Sequence, residues 1–276
     1  MKVREALAVA AARLAGSSRS FRLDAELLMA KALGTTREVL LLSRMDEEGP
    51  AAFDALVGRR EAGEPIAYIL GRRAFWTIEL EVGPGVLVPR PDTETLIEAA
   101  LAHFGATGPQ RVLDLGVGPG TLLLAALDQW PGASGLGVDR SQVALQLAEM
   151  NAARLGLAGR AEFRLGDWGQ GVTERFDLIL CNPPYVEEGA DLARDVLDWE
   201  PAGALFAGPD GLREYRRLAP EIPQLLRLGG IACIEIGAGQ EGIVSALFEA
   251  QGLAVSSRRD LAGIPRCIVV TPADRH

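Results

Sequence analysis

The segment Asn182-Pro183-Pro184-Tyr185 follows an apolar run at residues 176–181. It has the composition of a loop built to hold a flat amino group. An amide or aryl amine nitrogen has a delocalised lone pair and two N–H bonds. The side-chain carbonyl of Asn182 and a backbone carbonyl in the Pro183-Pro184 region can each accept one of them. The prolines fix the direction of that carbonyl and offer no competing N–H. Tyr185 supplies a ring to stack on the flat group. Held in this way, the nitrogen can face an activated methyl group and displace its carrier in line. Such chemistry depends on positioning and fixed dipoles rather than on a strong base, in keeping with a chain of only two histidines, His103 and His276.

A methyl carrier needs its own pocket, and two earlier segments can provide one. Asp114-Leu115-Gly116-Val117-Gly118-Pro119-Gly120 places three glycines at alternate positions after an apolar run. Such a turn lets the backbone approach a ligand closely at the carboxyl end of a sheet. Asp139 ends the next apolar run, where an acid can accept from both hydroxyls of an adenosine ribose. The third glycine comes two positions after the second, whereas a dinucleotide fingerprint places it three after. The spacing therefore favours S-adenosylmethionine over NAD. Gly166-Asp167-Trp168 closes a further run, with Asp167 suited to the adenine amino group and Trp168 to the purine face.

These sites require a scaffold of alternating strands and helices. Apolar runs at 111–116, 135–139, 161–165, 176–181, 231–236, 254–258 and 267–271 read as strands, with helical patterns at 121–130 and 141–155, the latter capped by Ser141. Repeated βα units predict a mostly parallel sheet covered by helices on both faces, with an antiparallel pair at its late edge. Residues 1–73 differ. Val3, Leu7, Ala10, Ala11 and Leu14 recur at helical spacing, and the pattern continues through 25–33, 37–42 and 51–62, predicting a small helical bundle. Residues 75–88 change period and predict a hairpin that turns at Gly83-Pro84-Gly85. The expected organisation is a helical domain over 1–73, a β-hairpin linker over 74–90 and a catalytic domain over 91–276.

Composition narrows the function classes. The 276 residues are 48% apolar and 24% charged, which suits a folded soluble chain. A net charge of −9 disfavours a general nucleic-acid binder. Cys181, Cys233 and Cys267 lie singly in apolar runs, so they read as buried small hydrophobes in a reducing, cytoplasmic setting. Scarce histidine and the lack of a CxxC pair predict no metal site. The sequence offers neither an apolar run long enough for a membrane span nor a signal-peptide pattern.

Taken together, these segments resemble the bacterial release factor glutamine methyltransferases over nearly the full length. The likeness includes Pro89-Arg90-Pro91-Asp92-Thr93-Glu94, the glycine loop, Gly166-Asp167-Trp168, Asn182-Pro183-Pro184-Tyr185, Glu200-Pro201, Asp210-Gly211-Leu212, Glu235-Ile236-Gly237 and Asp260-Leu261-Ala262-Gly263-Ile264-Pro265-Arg266. The resemblance implies a Rossmann-like class I S-adenosylmethionine-dependent methyltransferase fold with a seven-stranded sheet, preceded by a small helical domain that helps dock the substrate. It implies N5-methylation of the glutamine in the Gly-Gly-Gln motif of peptide chain release factors. By that likeness Gly116, Val117, Gly118, Pro119 and Gly120 line the donor site. Asp139 binds the ribose, Trp168 lies by the adenine, and Asn182 touches both donor and substrate. Asn182, Pro183, Pro184 and Tyr185 hold the glutamine amide. Val117 and Pro119 depart from the family, which carries hydroxyl side chains there. The glycine spacing and Asp139 remain, so the pocket is expected to persist, with donor affinity the property most exposed to the change.

Other readings stay open at this point. A related enzyme acts on a glutamine of a ribosomal protein, and a non-catalytic S-adenosylmethionine-binding scaffold would keep the fold. A DNA adenine methyltransferase shares Asn-Pro-Pro-Tyr but calls for a less acidic chain and a target-recognition domain.

Overall fold

Seven of the strands pair into one sheet in the computed structural model, which describes residues 1–273; His276 lies outside the described residues. Numbered along the chain, the strands are β1 (Arg72–Phe75), β2 (Ile78–Glu81), β3 (Arg111–Leu115), β4 (Ser134–Asp139), β5 (Ala161–Leu165), β6 (Phe176–Cys181), β7 (Leu226–Glu235), β8 (Leu253–Arg259) and β9 (Pro265–Pro272). The large sheet runs β5-β4-β3-β6-β7-β9-β8, and β1 and β2 form a separate ribbon. Strands β3 to β7 are parallel, while β9 runs antiparallel to both β7 and β8. The late edge is therefore a hairpin with its second strand inserted next to β7.

This order decides where a ligand can sit. From β3 the chain winds outward through β4 to β5, then returns to place β6 on the other side of β3. Connections leaving β3 and β6 diverge, which opens a crevice at their carboxyl ends. Register makes the two loops level: Leu115 pairs with Cys181, so residues 116 and 182 emerge side by side. Strand apolarity follows from burial on both faces. Leu113, Leu115, Leu178, Ile179 and Leu180 are wholly buried, as are most residues of helix Thr121–Gln129.

The chain divides into two compact units. The first comprises Met1–Arg72 with Val82–Pro84 and Leu192–Glu200. Its helices, Val3–Leu14, Phe21–Ala32, Arg37–Ser43, Ala52–Glu61 and Ile66–Leu70, bury Val3, Leu14, Leu28, Met29, Leu40 and Val57 against one another. Within this core Arg60 pairs with Asp24 at 2.8 Å, and Asp24 also accepts from the Ser18 and Ser20 hydroxyls, so the buried charges are satisfied. The second unit comprises Arg73–Glu81, Gly85–Asp191 and the described residues from Pro201 onward, and contains the large sheet.

The hairpin differs from its sequence pattern. It turns at Trp76-Thr77 rather than at Gly83-Pro84-Gly85, and residues 86–88 form no strand. Trp76 adopts φ 53°, and hydrogen bonds to residues far along the chain hold it there: its amide donates to Glu94 Oε1 and its indole to Gln129 Oε1, both at 2.9 Å. Aromatic bulk in a left-handed turn carries no local signal, so the glycine-rich segment downstream misleads. After this segment a single 3-10 turn, Pro91–Thr93, leads into helix Glu94–Phe104.

Candidate active site

The glycine loop is pinned to the end of β4. Gly116 and Val117 amides both donate to the Val138 carbonyl, at 2.8 and 3.0 Å. The Gly118 amide donates to Asp139 Oδ2 at 2.9 Å, and the Ser141 amide to Oδ1 at 2.8 Å. Asp139 thus organises two loops. A carboxylate offers about four lone-pair directions, so each oxygen keeps one for a ligand diol. The side chain of Val117 fills the space left by Gly137, where an added Cβ would meet it at 2.7 Å. The Pro119 carbonyl accepts from Asn151 Nδ2 at 2.9 Å, and buried Asn151 is itself bonded to Glu81 through both amide ends. Gly120 sits at φ 93°, and a Cβ there would lie 2.5 Å from Leu124 Cδ1, so the turn into helix Thr121–Gln129 requires glycine.

Asp114 lies beneath this loop. One of its oxygens caps the following helix, accepting from the Leu123 amide at 2.9 Å, while Oδ1 is buried with no partner among the described residues. Burial pushes its carboxyl up to about 7, against the Leu123 bond, which lowers it; the charge of Asp139 adds to the rise. An orphaned carboxylate oxygen at a cavity wall is a place for a cationic or donating ligand group.

Trp168 is held at φ 53° by Glu214, whose Oε2 accepts from the indole N–H at 2.9 Å. Its ring lies over Gly116, where a Cβ would approach Cζ3 to 3.2 Å. Desolvation raises the pKa of buried Glu214, yet bonds from Arg213, Trp168 and Arg217 bring it below the ordinary value. Arg217 also pairs with Asp167.

Asn182 emerges from β6 beside the glycine loop, and its Nδ2 donates to Thr93 Oγ1 at 3.3 Å. Oδ1 is left for another partner. Pro183 and Pro184 are buried. The Tyr185 hydroxyl donates to Glu235 Oε1 at 3.2 Å, and the Tyr185 carbonyl accepts from Gln240 Nε2 at 3.1 Å. The loop then runs into a parallel bridge between Val186 and Phe206. Burial, then the charge of Glu235, raises the Tyr185 phenol above its usual range. Glu235 ends β7 and is 1% exposed. Burial pushes its carboxyl up to about 7, although hydrogen bonding from Thr93 and Tyr185 and the charge of Arg266 oppose the rise.

Together these elements enclose a cleft with about 1090 Å³ of space between atoms, its open mouth included. That is ample for a nucleoside-sized ligand. Gly116, Val117, Gly118, Pro119, Asp139, Trp168, Asn182 and Pro184 lie in its wall. Gly120, Pro183 and Tyr185 stand behind it and shape the two loops. Asp114 and Thr93 are wall residues that sequence reasoning assigned no role. Asp114 had a signal, an acid two places before the first glycine; Thr93 lies in the segment at residues 89–94, but its meeting with Asn182 across 89 positions leaves no local trace. No cluster of metal-ligating side chains occurs among the described residues, and none of their helices is long and apolar enough to cross a membrane.

Comparison with known proteins agrees with this architecture. Residues 5–71 match the PrmC N-terminal domain and residues 92–198 the methyltransferase small domain. Solved structures with a similar fold include a Pyrococcus furiosus methyltransferase (TM-score 0.54, 16% identity, 79% of this chain and 96% of that one). Another is a T. thermophilus 16S rRNA N2 methyltransferase in complex with AdoMet and guanosine (0.53, 20%, 72% and 49%). Among curated relatives, the release factor glutamine methyltransferase of Rhodospirillum rubrum is 44% identical over 90% of this chain and 78% of its own length. That of Cereibacter sphaeroides is 45% identical over 97% and 98%. With identity of this order sustained along both sequences, the chain belongs to the release factor glutamine methyltransferase family.

Proposed function

We propose that this chain methylates N5 of the glutamine side chain in the Gly-Gly-Gln motif of peptide chain release factors, with S-adenosylmethionine as donor. The observation that carries the reading is the Asn182 side chain: its Nδ2 is spent on Thr93, so Oδ1 remains to accept an amide N–H beside the glycine loop.

The cleft fits the donor. Asp114 Oδ1 offers an unpaired acceptor for an ammonium group. Gly116, lacking a Cβ, lets the Trp168 ring pack against the loop backbone, and both stand in the cleft wall beside the space for a flat base. Asp139 retains acceptor capacity for a diol. The bound donor supplies a methyl group made electrophilic by a positively charged sulfur. Asn182 Oδ1 and a carbonyl of the Pro183-Pro184 segment would each take one N–H of the substrate amide and turn its nitrogen toward that methyl. A C–N bond forms as the C–S bond breaks, and the surplus proton passes to water. Fixed carbonyl dipoles stabilise the growing positive charge on nitrogen, and their orientation precedes the reaction. Tyr185, buttressed by Glu235, holds the loop against recoil.

The helical unit is proposed to help dock the release factor. A ribosomal-protein glutamine is the weaker reading, because relatives matched along the whole chain carry release factor methylation in their names. A scaffold without turnover is disfavoured by the intact Asn182 loop. We place the chain in the cytoplasm, where its substrate works and where free Cys181, Cys233 and Cys267 stay reduced. The test is incubation with a release factor and isotopically labelled donor, followed by peptide mass spectrometry. Label on the Gly-Gly-Gln glutamine is expected; label confined to lysine, to nucleic acid or to a ribosomal protein would overturn the assignment.

A further inference from the structure

We propose that Gln240 is a positioning residue for methyl transfer: from behind the Asn182 loop it holds the peptide that follows Tyr185, and so keeps the carbonyls of the Pro183-Pro184 segment aimed at the substrate amide. This inference rests on the methyl-transfer reading of the site and deepens it by naming what anchors the far end of the clamp.

A proline ring fixes φ and leaves ψ free. Pro183 and Pro184 therefore do not aim their carbonyls unaided; the residues on either side must do it. On the near side the Asn182 side chain is held by Thr93 at 3.3 Å. On the far side the peptide between Tyr185 and Val186 is bonded through both of its polar groups. Its carbonyl accepts from Gln240 Nε2 at 3.1 Å, and its amide donates to the Leu205 carbonyl at 2.9 Å. Fixed points on both sides leave the proline carbonyls between them little room to turn.

Four polar groups converge on the Gln240 side chain. Nε2 donates to the Tyr185 carbonyl and, at 3.4 Å, to that of Gly211. Oε1 accepts from the Gly237 amide at 2.9 Å and is reached at 3.3 Å by the Tyr215 hydroxyl. These partners fix the orientation of the amide. Flipped, it would set N–H against the Gly237 N–H and an oxygen against two carbonyls. Two glycines clear the space for it. A Cβ at Gly211 would lie 2.5 Å from the Tyr185 carbonyl oxygen and 2.9 Å from Gln240 Nε2. A Cβ at Gly237 would lie 2.8 Å from Gln240 Oε1 and 3.1 Å from Tyr185 Cδ2. Asp210-Gly211-Leu212 and Glu235-Ile236-Gly237, neither of which lines the donor cleft, thus meet at one side chain. Gln240 also stands at the start of helix Glu241–Glu249, where Ser, Thr, Asp or Asn would cap the free amides. Its side chain makes no cap bond and turns to the loop instead. Gln240 does not line the cleft, so it acts through the loop and not on the ligand.

The experiment compares the wild-type chain with Gln240→Glu and Gln240→Met at pH 8. It measures kcat at saturating donor and release factor, and donor affinity and stoichiometry by calorimetry. Glutamate keeps the shape and removes both donors; methionine keeps the length and removes every bond. In each variant kcat per donor-binding chain should fall roughly 10- to 100-fold, the scale of a lost hydrogen bond at a buried carbonyl. Donor affinity should stay at the wild-type value, because the glycine loop, Asp139 and Trp168 are untouched. A role confined to stability would lower the fraction of chains that bind donor and leave the turnover of the rest unchanged. A second readout needs no variant. In the 15N-labelled wild-type chain the Gln240 side-chain amide hydrogens should exchange with solvent far more slowly than those of exposed Gln251. Wild-type turnover per donor-binding chain in either variant would overturn the role. So would loss of donor binding along with turnover, or Gln240 amide hydrogens that exchange as fast as those of Gln251. A wild-type chain that leaves the release factor unmethylated would instead refute the methyl-transfer reading.

Discussion

Replacing Asp114 by asparagine should stabilise the free protein while weakening its hold on the donor. The Asp114 carboxyl is 1% exposed, one oxygen unpartnered, and burial lifts it from an ordinary 3.8 to about 7. Because the folded-state value is the higher one, the unfolded chain ionises first as pH rises. Stability is lost progressively from about 4 to about 7, and the loss is complete above that. The gap corresponds to roughly 4 kcal/mol at about 1.36 kcal/mol per pH unit. Asparagine carries no charge and still accepts from the Leu123 amide, but it buries an N–H pair where Oδ1 was unpaired, at about 1–3 kcal/mol. The net expectation at pH 8 is a gain of about 1–3 kcal/mol in the unit that holds the sheet. That advantage shrinks by about 1.4 kcal/mol for each pH unit below 7. Glu235, which titrates in the same region, is common to both proteins and cancels in the difference. Calorimetric unfolding of both proteins at pH 6 and 8 reads the effect, and isothermal titration with donor reads the other half. Donor affinity should fall about 10- to 100-fold, because a charge-assisted bond to an ammonium becomes a donor facing a donor. A variant no more stable than wild type at pH 8, or one that binds donor equally well, would refute the reasoning that this charge is retained for the ligand.

Three other substitutions separate the parts of the site. Asn182→Ala should lower kcat by roughly 100-fold, the scale for removing one positioned dipole at a reacting centre, with an unchanged melting temperature; near-normal turnover in a methylation assay would discount its role. Asp139→Ala releases the Gly118 and Ser141 amides as well as the ligand, so donor binding measured by calorimetry should weaken at least tenfold, by about 1.5–3 kcal/mol. Unchanged donor affinity would reject the ribose assignment. Gly120→Ala meets Leu124 at 2.5 Å and must hold φ 93°. It should destabilise the sheet unit by about 1–3 kcal/mol, and a denaturation midpoint equal to wild type would show that the turn relaxes more easily than its geometry suggests.

What the sequence makes legible here is what repeats or lies close along the chain. Strands β3, β4 and β6 are apolar on both faces because they are buried on both faces, so residues 111–115, 134–139 and 176–181 stand out as runs. Ser141 caps its helix as its type suggests, accepting from the Ala144 amide at 3.2 Å. The glycine loop and Asp139 meet in the cleft because each ends a strand at the same edge. The features that escape are pairings between distant residues. Trp76 holds a left-handed turn only because Glu94 and Gln129 satisfy it. Trp168 keeps a strained backbone only because Glu214 bonds its indole. Neither partner is visible from the aromatic's own neighbours, which is why the sequence pattern points to Gly83-Pro84-Gly85 while the chain turns at Trp76-Thr77.

The same distinction explains why a chain with two histidines suits this chemistry. A neutral amide nitrogen needs no base strong enough to strip it before attack; it needs acceptors already facing the right way, and these are selected by groups behind them. Asn182 is only half-buried, and its wall-facing oxygen is fixed by what its nitrogen touches. Thr93 reaches it from the turn before helix Glu94–Phe104. Tyr185 is fastened to the Glu235 carboxylate at the end of β7. The loop is thereby anchored at both ends, by the Thr93 hydroxyl at Asn182 and by the Glu235 carboxylate at Tyr185. A site of this kind loses its function when one of these anchors is lost, even though the carbonyls that face the substrate are still in place.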